Sequence, residues 1–230
     1  MKVVIGAIVR NRAWILPEYL DALDRMEVPE NPTFLFIEND SVDDTGFLLS
    51  QWCRESKRRH HSGLIHTYRG VEQWDHHQYV YSNLAFLRNR LLEWFLTTDA
   101  DFFMSVDSDI IVQPDTFERL YQTHLKTGGI VGAAICNVAG QHLDGHTAGN
   151  FLVYENGALR HPVSYPMSGD LEVGLTGAVY LMPRWVIAQG ARYGDHLQGE
   201  DVPFCVSAQE LGCAIHMNMD ARCEHRMVRS

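Results

Sequence analysis

Short apolar runs alternate with longer amphipathic stretches through the first half of the chain. The short runs predict buried strands at 3–9, 33–37, 63–68, 102–106 and 129–135. The stretches between them predict helices that open at Pro17 and Pro114 and helices over 44–58 and 77–96. Because strands that alternate with helices form parallel sheets covered on both faces, this pattern predicts an α/β fold with a mainly parallel central sheet.

The second half of the chain has a more mixed pattern. Asn156-Gly157 stands between two strand-like runs in NFLVYENGALRHPVSY, which is typical of a β-hairpin. Residues 174–182 read as one further strand, a helix is predicted from Pro183, and residues 199–212 read as a helix closed by Gly212. Since no linker, repeat or low-complexity segment interrupts the pattern, we expect a single domain over 1–230, with an α/β half (1–112) and a mixed half (113–230).

Composition and charge narrow the class of protein. The chain has 230 residues and is 46% hydrophobic, which suffices for one substantial core. Its formal net charge of −10 argues against a broad nucleic-acid surface, which would need a basic patch. No apolar run approaches the roughly 20 residues of a membrane span, and the N-terminus lacks the pattern of a signal peptide. The five cysteines are odd in number and irregularly spaced, so we expect a reduced, cytoplasmic chain.

Two acidic residues interrupt an otherwise apolar run, FFMSVDSDIIV. Asp107 and Asp109 come at the end of the fourth predicted strand, and alternation along a strand would turn both to the same side. Ligands of parallel sheets bind outside the carboxyl ends of the strands. Two close carboxylates raise each other's pKa unless a cation lies between them, and oxygen ligands suit Mg²⁺ or Mn²⁺. The pair therefore predicts a divalent-cation site, while a solvated strand end followed by a turn stays open.

Further motifs follow in a fixed order along the chain. They are Arg10-Asn11 after the first strand, IENDSVDDT after the second, QWDHHQY before the long helix, LRNR within it, VDSD, and GEDVPFCVSAQELG. Together they resemble the motifs of GT-A glycosyltransferases, in particular the inverting and Anp1-like groups and the procollagen galactosyltransferases, from residue 3 to about 225. The resemblance implies one GT-A, Rossmann-like domain, with 1–112 as the nucleotide-binding half and 113–230 as the acceptor-binding half.

The same resemblance implies roles for individual residues. It places Arg10, Glu38, Arg88, Asp107 and Ser108 at the nucleotide of a nucleotide-diphosphate sugar, with UDP as the expected nucleotide. It implies that Asp107, Asp109 and His225 hold Mn²⁺ or Mg²⁺, with Glu224 as an alternative to His225. Asp201, with Glu200 beside it, is implied as the base that takes the proton of the acceptor hydroxyl. The two acids also suit the first turn of a helix.

Three other functions remain open at this point. A retaining transferase could use the same fold. A sugar-1-phosphate nucleotidyltransferase would also use metal-bound acids, but it typically has a glycine-rich loop after the first strand, and the loop VRNRAWILPE contains no glycine. A catalytically silent nucleotide- or sugar-binding protein is the third. The acceptor, whether glycan, protein or lipid-linked sugar, and the oligomeric state are not determined by the sequence.

Overall fold

The computed structural model describes residues 1–30, 32–56, 62–75, 78–138 and 150–226. The strands of this part are β1 (Val3–Val9), β2 (Thr33–Asn39), β3 (Ser62–Tyr68), β4 (Trp74–Asp75), β5 (Gln78–Tyr79), β6 (Phe102–Val106), β7 (Ile110–Ile111), β8 (Ile130–Val138), β9 (Phe151–Glu155), β10 (Ala158–Arg160), β11 (Asp170–Val173), β12 (Leu175–Thr176), β13 (Val179–Pro183) and β14 (Ile215–Arg226). The helices are α1 (Leu16–Arg25), α2 (Thr45–Ser56), α3 (Tyr81–Leu96), α4 (Thr116–Thr127), α5 (Arg184–Ala188) and α6 (Asp201–Glu210).

A nine-stranded sheet forms the centre of the molecule. Its order is β11-β14-β8-β13-β6-β1-β2-β3, with β7 paired to the end of β14. The neighbours β6-β1-β2-β3 are all parallel, and β14 is parallel to β8. Because β13 runs antiparallel to both β6 and β8, those two strands share one direction. The predicted α/β class with a mainly parallel central sheet is therefore confirmed.

Helices cover both faces of this sheet, as the alternation of side chains along β1 illustrates. Val3 and Ile5 belong to a core that includes α1, α2 and α4. Val4, between them, belongs to a second core that includes α3, α5 and α6. Side chains of a strand point alternately to opposite faces, so a strand buried on both faces reads as a continuous apolar run.

Several predicted boundaries differ from those of the structure. The single strand predicted over 174–182 is wrong, because the chain breaks at Gly177 and Ala178 into β12 and β13, and Ala178 has a φ of 64°. The long helix begins at Tyr81, after the short β4–β5 hairpin, rather than at residue 77. The hairpin at Asn156-Gly157 is confirmed, and both residues have the positive φ, 52° and 78°, that a tight two-residue hairpin turn requires.

None of the helices in the described part of the chain is both long and apolar enough to cross a bilayer. None of the five cysteines, which all lie within the described residues, forms a disulfide bond.

Candidate active site

A cavity of about 480 Å³ opens where β1 and β6 end. The segment after β1, the turn after β6, the first half of α3, the start of α6 and the end of β14 all contribute to it. Its lining residues are Ile8, Arg10, Asn11, Arg12, Glu72, Gln73, Tyr81, Leu84, Arg88, Asp107, Ser108, Asp109, Gln198, Gly199, Glu200, Asp201 and His225. The cavity thus lies at the carboxyl ends of parallel strands, where α/β sheets bind their ligands.

The acidic pair lies in a turn that follows β6. The strand ends at Val106, and the amide of Ile110 donates a hydrogen bond to the carbonyl oxygen of Asp107 at 3.0 Å. The expectation that strand alternation turns Asp107 and Asp109 to one side is therefore wrong, since neither is in a strand. Both nevertheless line the cavity, together with Ser108, because the turn itself lies at its rim.

Asp107 is joined to Glu200 through the buried guanidinium of Arg88. Arg88 donates from Nη2 to Asp107 Oδ1 at 2.9 Å and from Nε to Glu200 Oε1 at 2.6 Å, and it also reaches Ser105 Oγ at 3.2 Å. Burial raises the pKa of Asp107; Arg88 opposes this, and the negative charges of Asp109 and Glu200 reinforce it. Arg88, which was predicted to bind the nucleotide, therefore donates three hydrogen bonds to side chains of the protein.

Asp109 has a different set of partners. Arg12 donates from Nη2 to Asp109 Oδ2 at 2.8 Å, and His225 Nε2 lies 3.7 Å from the same oxygen. Burial acts to raise the pKa of Asp109, but His225 and Arg12 outweigh it, so that the pKa lies below its ordinary value. The antiparallel pairing of β7 with β14 brings His225 there, since it places His225 opposite Ile110.

The arrangement fits a divalent cation that takes only part of its ligands from the protein. Among the described residues, no three His, Cys, Asp or Glu side chains form a group that could hold a metal ion. Asp109 and His225 nonetheless present an oxygen and a nitrogen 3.7 Å apart at the cavity. Ions of this type commonly use one or two protein ligands together with substrate phosphates and water. Glu224, the alternative ligand, lies 3.0 Å from Arg226 and outside the cavity lining.

Asp201 is the first residue of α6 and lines the same cavity. Its Oδ1 accepts a hydrogen bond of 2.8 Å from the hydroxyl of Tyr180, which in turn contacts the hydroxyl of Tyr193. Burial raises the pKa of Asp201 to about 7, against the opposing charge of Arg88. A carboxyl group with such a pKa can take up or release a proton near neutral pH. Glu200, only 6% exposed, is instead paired with Arg88.

Two predicted nucleotide contacts occupy different environments. Arg10 lines the cavity, with Nη1 2.6 Å from Glu72 Oε1. Glu38 is buried at the end of β2, accepts a hydrogen bond from the amide of Ser41 at 2.9 Å and pairs with Arg69 at 3.0 Å. It is not part of the lining, so its contact with a nucleotide stays a prediction. His76 and His77 of the QWDHHQY motif lie outside the described residues.

The sequence patterns did not single out three residues that contact the site's acids. Arg12 follows the Arg10-Asn11 motif by one position, which was the available signal for it. Tyr180 reads in sequence as one more apolar position of a strand, and nothing there indicates that its hydroxyl meets Asp201. Gly177 reads in sequence as part of the same strand, and in the structure a Cβ at this residue would lie 2.7 Å from Asp201 Oδ2.

Comparisons of the sequence with known proteins find relatives of this chain. Residues 1–132 match the family model described as glycosyltransferase family 25, N-terminal domain. The procollagen galactosyltransferase 1-A of Xenopus laevis is 27% identical over 129 residues, an alignment that covers 51% of this chain and 21% of that protein.

Solved structures share the fold at low sequence identity. S. aureus TarS in complex with UDP-GlcNAc superposes with a TM-score of 0.66 at 14% identity, over 99% of this chain and 60% of that one. The mannosyltransferase PcManGT from Pyrobaculum calidifontis, in complex with GDP-Man and Mn²⁺, gives a TM-score of 0.65 at 12% identity, over 99% of this chain and 57% of that one. Identities this low support the GT-A fold alone. Because the family model matches more than half of its residues, the chain belongs to glycosyltransferase family 25.

Proposed function

We propose that this chain transfers a sugar from a nucleotide-diphosphate sugar, with UDP as the nucleotide, to a hydroxyl group of an acceptor. The reaction depends on a divalent cation and inverts the anomeric carbon, with Asp201 as the base. The observation that carries the proposal is the meeting of three features in one cavity: the acidic turn Asp107–Asp109, His225, and a carboxyl group whose pKa lies near 7.

Some residues of the cavity would bind the donor, and others would act on the acceptor. Asp109 and His225 would hold the cation, which when bound neutralises the diphosphate and makes it a better leaving group. Arg12, partly exposed at the same cavity, would offer its guanidinium to the diphosphate. Arg10, at the same wall, faces the same ligand.

Asp201 acts on the acceptor. In its ionised form it accepts the hydroxyl proton while that oxygen attacks the anomeric carbon from the side opposite the leaving nucleotide. Arg88 holds Glu200 and Asp107 on either side, so it orders the acidic wall of the cavity, and its predicted contact with the nucleotide stays a prediction. The inverting outcome follows from a base that acts on the acceptor without forming a bond to the sugar.

The donor class is supported by the names of the structural neighbours. TarS was solved with UDP-GlcNAc and PcManGT with GDP-Man and Mn²⁺, so proteins of this fold hold nucleotide sugars, in one case together with a divalent ion. The name of the galactosyltransferase relative supports a hexose as the sugar that is transferred. UDP remains our choice from the family resemblance alone, and the acceptor is a hydroxyl-bearing glycan, protein side chain or lipid-linked sugar.

Isothermal titration with UDP, GDP, ADP and CDP, with and without Mn²⁺, tests the proposal. We expect UDP to bind with micromolar affinity only when Mn²⁺ is present, and Asp109→Ala to lose this binding. Asp115→Ala is the matched control, since Asp115 is a half-exposed acid outside the cavity that pairs with Arg119. Binding of UDP unchanged by Mn²⁺ would contradict the metal site, and failure of every nucleotide to bind would contradict the transferase assignment.

A further inference from the structure

The carboxylate of Asp201 is held from one side by a chain of two buried tyrosines. The hydroxyl of Tyr180, in β13, donates to Asp201 Oδ1 at 2.8 Å. Since a tyrosine has a single hydroxyl proton, the contact between the two hydroxyls requires Tyr193 to donate to Tyr180 whenever Asp201 is ionised. Tyr180 is fully buried and Tyr193 is nearly so. Burial raises the pKa of each hydroxyl well above that of an ordinary tyrosine, so each keeps its proton and remains a hydrogen-bond donor.

The other oxygen of the same carboxylate lies against a residue without a side chain. A Cβ on Gly177 would come within 2.7 Å of Asp201 Oδ2 and 3.5 Å of its Cγ. The backbone of Gly177 is itself fixed at the break between β12 and β13, because its carbonyl oxygen accepts hydrogen bonds from Asn150 Nδ2 at 2.7 Å and from the amide of Val179 at 2.8 Å. Within the described part of the chain, no hydrogen-bond donor reaches Oδ2.

We propose that Tyr180 and Gly177 are positioning residues for Asp201: Tyr180 anchors Oδ1, and Gly177, by lacking a side chain, leaves room for Oδ2, the oxygen that receives the acceptor's proton. This inference rests on the proposed function, in which Asp201 is the base. It adds a reason for the interruption at Gly177 and Ala178, because a continuous strand with a side chain at residue 177 would occupy the place of the carboxylate.

The hydrogen bond from Tyr180 has a defined electrostatic consequence. It stabilises the ionised form of Asp201, as the charge of Arg88 does, while burial and the nearby acids act in the opposite direction. The titratable and charged groups that face Asp201 are Arg88 of α3, Asp107 after β6, Tyr180 of β13, Tyr193, and Glu200 and Cys205 at α6. Of these, Tyr180 makes the direct hydrogen bond to the carboxylate.

Tyr180→Phe, compared with Tyr193→Phe, tests the role of the hydroxyl. Each variant removes one buried hydroxyl from the same cluster, but only Tyr180 touches Asp201. A lost hydrogen bond to a charged group moves the acidic limb of the pH–rate profile upward by about one pH unit or more in Tyr180→Phe. Tyr193→Phe is expected to shift it by less than half as much. Equal shifts, or no shift in Tyr180→Phe, would overturn the proposal.

Gly177→Ala tests the space beside Oδ2. The added methyl group displaces the carboxylate, so we expect kcat to fall by at least about tenfold while the KM for the donor stays within about twofold. A rise in donor KM with unchanged kcat would show that Gly177 serves donor binding and would contradict a role in positioning the base.

A readout independent of turnover separates this inference from the proposed function. The pKa of the Asp201 carboxyl is measured by ¹³C NMR on chain labelled at aspartate, with Asp201→Asn used to assign the signal. A raised pKa in Tyr180→Phe without sugar transfer by the wild type would support the anchoring of Asp201 and refute the transferase reaction. Sugar transfer by the wild type, together with an unchanged pKa of the Asp201 carboxyl in Tyr180→Phe, would support the transferase reaction and refute the anchoring of Asp201 by Tyr180.

Discussion

Arg88 is the residue on which the acidic wall of the cavity depends. Its side chain is buried, and its guanidinium is shared between Asp107, Glu200 and Ser105, with Cζ 5.6 Å from the centre of the Tyr193 ring. Removing one partner of a buried ion pair leaves the other charge without compensation, which costs far more than the net contribution of the pair itself. The charge of Arg88 also counteracts the rise in the pKa of Asp201.

We expect Arg88→Met to lower the free energy of unfolding by about 3–5 kcal/mol, because Glu200 would lose its buried partner. Urea denaturation measures this loss. Arg90→Met is the matched control on the same helix: Arg90 is more exposed and pairs with Glu93, so its replacement should cost less than about 1 kcal/mol. Similar losses in the two variants would show that the buried pairing of Arg88 contributes little to stability.

The titration of Asp201 predicts the pH dependence of transfer. Its pKa is raised to about 7, so the carboxyl group is protonated, and inactive as a base, below that pH. The rate should therefore rise as pH increases through about 7. Asp201→Asn should lower kcat by about 10²–10⁴-fold and leave UDP affinity within a few-fold of wild type. Asp195→Asn, a change of an exposed acid in the preceding loop, is the control. An unchanged rate in Asp201→Asn would exclude it as the base.

Among the elements, β8 is an interior strand of the sheet. It lies between β13 and β14, and the glycine just before it meets backbone rather than a movable side chain: a Cβ on Gly129 would lie 2.1 Å from the carbonyl oxygen of Ala214. Gly128, its neighbour, has no atom within 4 Å of such a Cβ but has a φ of 70° at the end of α4. Two adjacent glycines are thus required for different reasons, one for close approach and one for backbone conformation.

Gly129→Ala should therefore destabilise the chain by about 2–3 kcal/mol, because β8 and the residue before β14 must move apart. Gly128→Ala should cost only about 1 kcal/mol, the strain of a left-handed alanine. Thermal or urea unfolding of both variants measures the difference. Equal losses would mean that the contact with Ala214 relaxes at little cost.

The strand β14 delivers His225 to the cavity, and its pattern was present in the sequence. Ile215, Met217, Met219, Ala221 and Cys223 alternate with polar residues, which indicates a strand buried on one side. The alternation does not by itself place His225 near the acidic pair. Only the resemblance to known glycosyltransferases implies that position. What alternation along one strand cannot show is that β7 pairs with its end and thereby places His225 beside Asp109.

At the scale of the whole molecule, the cavity connects segments far apart in sequence, from Arg10 to His225. A ligand that binds only the folded state stabilises every segment that it bridges. At a concentration 100 times its Kd, a ligand adds about 2.7 kcal/mol to the free energy of unfolding.

Addition of UDP with Mn²⁺ should therefore raise Tm by about 5–10 °C for a chain of this size. Differential scanning fluorimetry checks this, with Mn²⁺ alone and UDP alone as controls. In Asp109→Asn the rise in Tm with UDP and Mn²⁺ together should be no larger than the rise with either ligand alone. An equal rise in this variant would place the nucleotide elsewhere than at the acidic turn.

The sequence by itself determined the α/β class, most strand and helix positions of the first half and the acidic pair that follows β6. These follow from local periodicity and from motifs that are short and contiguous, and neither depends on which strands become neighbours. Glu200 and Asp201 were found in the same way, as an acidic start of a helix that resembles a known motif.

Only the tertiary structure determined which residues contact these acids. The resemblance implies Arg88 at the nucleotide, and the structure adds its contacts with Asp107 and Glu200, which join residues 19 and 112 positions away. The anchoring of Asp201 by Tyr180 and the space left by Gly177 depend on how α6 packs against the interrupted strand. Such contacts come from the crossing of elements that are remote in the chain, and no local pattern of apolar and polar residues records them.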